Sequence, residues 1–127
     1  MHKLTAPLVL LLALQTAPVL CDEDEMDTDL MQTIDDTTKS VTSNIDLRKK
    51  QAADEDAHAL QKLLSQVEVF YETRHDKADA VEFARTSLEI ANRLQKLLTD
   101  KDFEGAARAA NELSRSCRSC HDVYKHS

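Results

Sequence analysis

This chain predicts an all-α fold, an antiparallel up-down-up-down four-helix bundle, and three observations carry that prediction. Past residue 21 there is one glycine, Gly105, and no proline, because Pro7 and Pro18 both lie near the start. The Asn-Gly and Asp-Gly pairs that punctuate hairpins are also missing. Charged residues make up 31% of the chain and aromatic residues 4%, a balance that suits aliphatic helix packing better than a sheet. Apolar residues then recur at alternating steps of three and four in four separate runs, the seam of a packed helix.

The segment before these runs has a different character. Met1 to Lys3 give a minimal basic start, and Leu8 to Leu14 form an apolar run too short to span a membrane. Asp22-Glu23-Asp24-Glu25 follows at once. This order is that of a secretory signal peptide, residues 1–21, removed after Cys21 with Val19 and Cys21 at the two recognition positions. Cleavage after Ala17 would leave Pro18 at the new N-terminus, and acylation of Cys21 would need a small residue where Leu20 stands. Residues 22–127 remain, about 105 residues and the size of one domain.

The first helical stripe is Met31, Ile34, Thr38, Val41 and Ile45. The second is Ala53, Ala57, Leu60, Leu64, Val67 and Tyr71, widened by Leu63 and Phe70. Val81, Ala84, Leu88, Ala91, Leu94 and Leu98 make the third, and Ala106, Ala110, Leu113, Cys117, Cys120 and Tyr124 the fourth. Breaks fall at Arg48 to Gln51, Arg74 to Lys77 and Thr99 to Asp102, with Thr99 or Asp100 placed to cap the last helix.

Within the fourth stripe lies Cys117-Arg118-Ser119-Cys120-His121, and Cys-x-x-Cys-His is the attachment sequence of a covalent c-type haem. Two thiols add to the two vinyl groups, and the adjacent imidazole reaches the iron. Steps of three and four bring all three groups to one helix face, as one side of a flat cofactor requires. A thioredoxin-like pair would open a helix after a strand, and no strand pattern is present. Zinc could draw on Cys117, Cys120, His121 and His126, yet adjacent Cys and His suit a tetrahedron poorly. Export also agrees with haem c, which is attached on the outer side of the energy-transducing membrane.

Short connections favour antiparallel neighbours, so the start of the first helix, the end of the second, the start of the third and the end of the fourth share one end. The bundle is therefore expected to hold its one haem at that end. Phe70, Tyr71, Phe83 and Tyr124 gather there as candidate haem contacts, with Phe103 at the far end. Met31, turned inward beside the end of the fourth helix, is the candidate second iron ligand opposite His121. Met26 falls in a frayed start, His58 at the wrong end, His75 in a solvent-facing turn, and His126 too close to His121 to reach the opposite face.

The formal charge of −7 makes nucleic acid an unsuitable partner. An acidic surface keeps a protein soluble and can orient it on a basic redox partner.

Three amphipathic helices and a signal peptide ahead of a C-terminal Cys-x-x-Cys-His, with Tyr124 and Lys125 behind it, resemble the cytochrome c-prime group and its soluble four-helix-bundle relatives. The resemblance implies a periplasmic bundle with His121 as proximal ligand, and Met31-Gln32-Thr33-Ile34 matches the segment that supplies the distal residue. Lys125 stands where many relatives carry arginine. Relatives often dimerise through their first two helices, which makes a homodimer possible here. Members with Leu or Phe at the distal position bind small gases at five-coordinate iron, and members with Met transfer electrons. Two functions follow: a single-electron carrier with an unidentified redox partner, or a protein that binds nitric oxide or carbon monoxide. No Ser-His-Asp set, Gly-rich phosphate loop or second metal-ligand cluster points to an enzyme.

Overall fold

The computed structural model describes residues 26–124, and the signal segment, Cys21, Lys125 and His126 lie outside them. Four helices follow in order: α1 Thr28–Asp46, α2 Lys50–Glu72, α3 Ala78–Thr99 and α4 Phe103–Tyr124. Each packs on its sequence neighbours and α1 closes the ring against α4, while diagonal helices do not touch. Among the described residues no helix is long and apolar enough to cross a membrane.

The first two stripes land as expected. Ile34, Thr38, Val41 and Ile45 are buried on α1 with Met31 half-buried, and all six positions read for α2 are buried. Thr38 carries the one hydroxyl in the α1 stripe and donates it to the Ile34 carbonyl at 2.7 Å, so its burial leaves no orphan polar atom. Of the third stripe, Ala84, Ala91, Leu94 and Leu98 are buried as expected and Val81 and Leu88 are half-buried, while Ala80, Ser87 and Ile90 join the buried face. α3 shares the two most extensive helix–helix contacts, with α2 and α4, so its inward face is wider than a single seam supplies. On α4 the deep positions are small, Gly105, Ala106, Ala109 and Ala110, followed by Leu113.

The helix ends have physical causes. Asp27 caps α1 by accepting from Asp29 N–H at 2.8 Å. Met26 is not frayed: it sits half-buried against the core at the position before the cap, where a residue can staple to Met31 four places into the helix. After α1, Lys49 N–H bonds the Asn44 carbonyl and Arg48 N–H the Ile45 carbonyl. After α3, Asp102 N–H bonds the Leu97 carbonyl and Lys101 N–H the Leu98 carbonyl. Both are Schellman terminations, and both put a non-glycine residue in the left-handed region, Arg48 at φ 53° and Lys101 at φ 58°.

Neither Thr99 nor Asp100 caps α4. Asp102 does, accepting from Gly105 N–H at 2.8 Å, while the Thr99 hydroxyl turns back to the Gln95 carbonyl. A side chain at 105 would crowd this cap, since a Cβ there would lie 2.8 Å from the Asp102 carboxyl carbon and 3.0 Å from Leu97 Cδ2. That close approach accounts for the chain's one glycine.

Two outcomes test these ends. Asp102→Ala should cost about 1 kcal/mol in urea denaturation while Asp100→Ala stays near wild type. Lys101→Gly should stabilise by about 1 kcal/mol, because it relieves the left-handed backbone of a residue with a Cβ.

Candidate functional site

α4 carries Cys117, Cys120 and His121, all half-buried, on the side that continues its apolar stripe. α1 runs beside it with Met31 level with that end, as the antiparallel ring dictates. Between the two helices lies a cavity of about 740 Å³, lined by Met31, Cys117, Cys120 and His121 together. Leu64 and Val67 of α2 and Phe83 and Ala84 of α3 supply its apolar floor, and Ile34 the α1 wall. The size suits a cofactor rather than a single ion or a diatomic.

The cavity lies along the one side of the ring where, among the described residues, no polar pair ties the helices. Ser40 and Asn44 of α1 meet Asp56 of α2. Arg85 of α3 meets Glu68 and Glu72 of α2. Arg93 of α3 meets Glu112 of α4, and Ser87 meets Ser116 at 2.8 Å. α1 and α4 share the sparsest contact of the four adjacent pairs.

The four aromatic residues separate into two groups. Phe83 lines the cavity. Phe70, Tyr71 and Tyr124 form their own cluster outside its lining: Phe70 meets Tyr71 edge-on at 5.0 Å between centroids, and Tyr71 lies 6.1 Å from Tyr124. This cluster borders the second thiol, because burial first and the neighbouring Cys120 next push the Tyr71 hydroxyl above its ordinary pKa. Arg74 closes the α2–α3 turn over it, 3.5 Å above the Phe70 ring and donating to the Phe70 carbonyl at 2.8 Å.

The other histidines stand apart from the cavity lining. His75 is exposed in the α2–α3 turn, and His58, exposed on α2, hydrogen-bonds Gln95. Among the described residues no three His, Cys, Asp or Glu side chains converge to hold a bare metal ion.

The polar wall of the cavity escaped the stripe reading. Asp35, Lys39 and Thr42 of α1 and Asn111, Ser114 and Arg118 of α4 all line it. The signal was present: counting by fours from Met31 gives 35 and 39, the flank of α1 that faces α4. Reading only apolar positions hid it. Asp35 and Lys39 pair with each other at 2.6 Å on this wall.

No family model, curated protein or solved structure matches this chain.

The thiols are held in their protonated form. Burial foremost, then Cys120 and Asp35, push Cys117 up to about 11, and burial also raises Cys120. In protein whose thiols carry no cofactor, alkylation by iodoacetamide at pH 8 should therefore be much slower in the folded chain than in urea, with Cys117 the slower of the two. Its rate should climb as pH rises towards 11, where the thiolate forms. Mass spectrometry of peptides spanning 117–120 reads both rates.

Proposed function

We propose that this protein is an exported mono-haem c-type cytochrome that carries single electrons. The observation that carries the reading is the meeting of Met31, from the far end of the sequence, with Cys117, Cys120 and His121 on one cofactor-sized cavity. The donor set fits haem c: two thiols for two vinyl groups, one imidazole, and one thioether on the facing helix. The sequence resemblance to the cytochrome c-prime group supports the same assignment.

When bound, haem supplies reversible one-electron chemistry whose potential depends on axial ligands and burial. The rest falls to the chain. Cys117 and Cys120 would fix the cofactor edge to α4 through thioethers, and His121 would present its imidazole from the same helix. Met31 would present its thioether from α1. Ile34, Leu64, Val67, Phe83 and Ala84 keep water from the cavity floor, which favours fixed ligation over exchange. A carrier needs this rigidity, since little should move when the charge on the metal changes.

Acid-acetone extraction should leave the colour with the protein, as thioether links require. The wild type should be low-spin and bind carbon monoxide slowly. Met31→Leu should give a high-spin five-coordinate spectrum and faster carbon monoxide binding. The bundle should stay folded, because a Leu-for-Met swap conserves volume and costs under about 1.5 kcal/mol. A wild type that is already high-spin and binds carbon monoxide readily would leave Met31 as packing and favour gas binding.

A further inference from the structure

The charges of the bundle are unevenly distributed. On α1, Asp29, Asp35, Asp36 and Asp46 face one cation, Lys39, and on α2 five carboxylates face Lys50 and Lys62. On α3 and α4 the signs balance in number, but not in place. Arg85 is engaged by Glu68, Glu72 and Glu82, and Arg93 is engaged by Glu112. Arg108, Arg115 and Arg118 are exposed on α4 and, among the described residues, have no carboxylate partner.

Steps of seven and three put these arginines on one outer side of the helix that carries the thiols. Glu104 and Asp122 stand at the two ends of the same stripe, and Glu112, on its α3 border between Arg108 and Arg115, is taken by Arg93. Arg108 and Arg115, with the Arg93–Glu112 pair, line an outer pocket of about 490 Å³ between α3 and α4. Arg118 also lines the central cavity, so the stripe runs without a break to the site.

We infer that this arginine stripe on α4 is the docking surface for a redox partner protein that presents a cluster of carboxylates. The inference rests on the carrier reading. Free guanidiniums hold paired, planar contacts with carboxylates better than any other cation in the chain could. Their place next to Cys117 and Cys120 brings an acidic partner to the cofactor edge, while the acidic α1–α2 half repels it from the other side. Complementary charge of this kind acts mainly on encounter and orientation. A nucleic acid does not fit, because a long polyanion would also meet the net negative field of the rest of the molecule.

The test uses ferricyanide, a trianion, as oxidant of the reduced protein: one electron leaves ferrous haem, giving ferric haem and ferrocyanide. At about 50 mM salt, R115Q and R108Q should each slow this step roughly fivefold, and the difference should shrink at about 0.5 M salt as screening sets in. Lys62→Gln on α2 removes the same charge and should leave the rate near wild type. Equal effects from Lys62→Gln and R115Q would overturn the proposal, since net charge alone would then explain them.

A second measurement needs no cofactor. In the purified protein, coloured or not, polyglutamate should shift the side-chain NMR signals of Arg108, Arg115 and Arg118 and spare that of Arg85. Unmoved signals would overturn the docking surface. A colourless protein whose arginines respond would instead end the carrier reading and leave the surface standing.

Discussion

The structure depends on how α4 packs, because its buried face changes chemistry halfway along the helix. Gly105, Ala106, Ala109 and Ala110 are small enough for close approach to α3 and α1, and Leu113 completes the plug with no exposure. Beyond Leu113 the same face carries Cys117, Cys120 and His121, which do not fill the space in front of them. A bundle that sealed its whole length with leucine would be more tightly packed and would have no room for a cofactor. The apolar floor from α2 and α3 lets the cavity exist without opening the core on the other three sides.

Polar contacts follow the same division. The α1–α2, α2–α3 and α3–α4 seams each carry cross-helix hydrogen bonds or ion pairs, several of them partly shielded. Exposed pairs of this kind contribute little stability individually, about 0–1 kcal/mol, so their value lies in fixing register. The α1–α4 seam carries its polar residues facing the cavity instead. Asp35 and Lys39 pair with each other there, so neither adds an unpaired charge to the cavity wall.

Much of this was legible in the residues. The stripes of α1 and α2 were read correctly because each helix shows one seam to the core, and a three-and-four count finds a single seam. The α3 face is wider than its stripe because Ser87, a polar residue, is buried beside Ile90, and its hydroxyl is satisfied by Ser116, a partner 29 positions away that no local pattern announces. The α4 cap moved to Asp102 for a similar reason. Three candidate caps within four residues, Thr99, Asp100 and Asp102, compete for the role, and the choice is decided by which one the backbone turn after Lys101 aims at Gly105. The cysteine motif was plain in the sequence, whereas the Asp35, Lys39 and Arg118 wall is visible only once α1 and α4 are seen side by side. Phe70, Tyr71 and Tyr124 were placed at the correct end, but aromatic character alone could not separate a wall of the cavity from a cluster behind it.

The end of the bundle that holds the site is also the end where the described residues begin and finish; it has one connecting turn, held by Arg74 over Phe70, against two Schellman turns at the other end. On the proposed ligation, thioether bonds at one terminus and an axial bond to Met31 at the other would tie residues about ninety positions apart into a ring. Closing a loop of that length restricts the unfolded chain by roughly 4–5 kcal/mol in the entropy treatment used for disulfides. The same bond that sets the iron environment would thus act as a clasp on the open end of the bundle. Losing Met31 as a ligand would loosen the fold as well as change the metal, and the helix most exposed to that loosening is α1, whose contact with α4 is the sparsest in the ring and which would then be held mainly by its buried stripe and by the Asp56 hydrogen bonds on the α2 side.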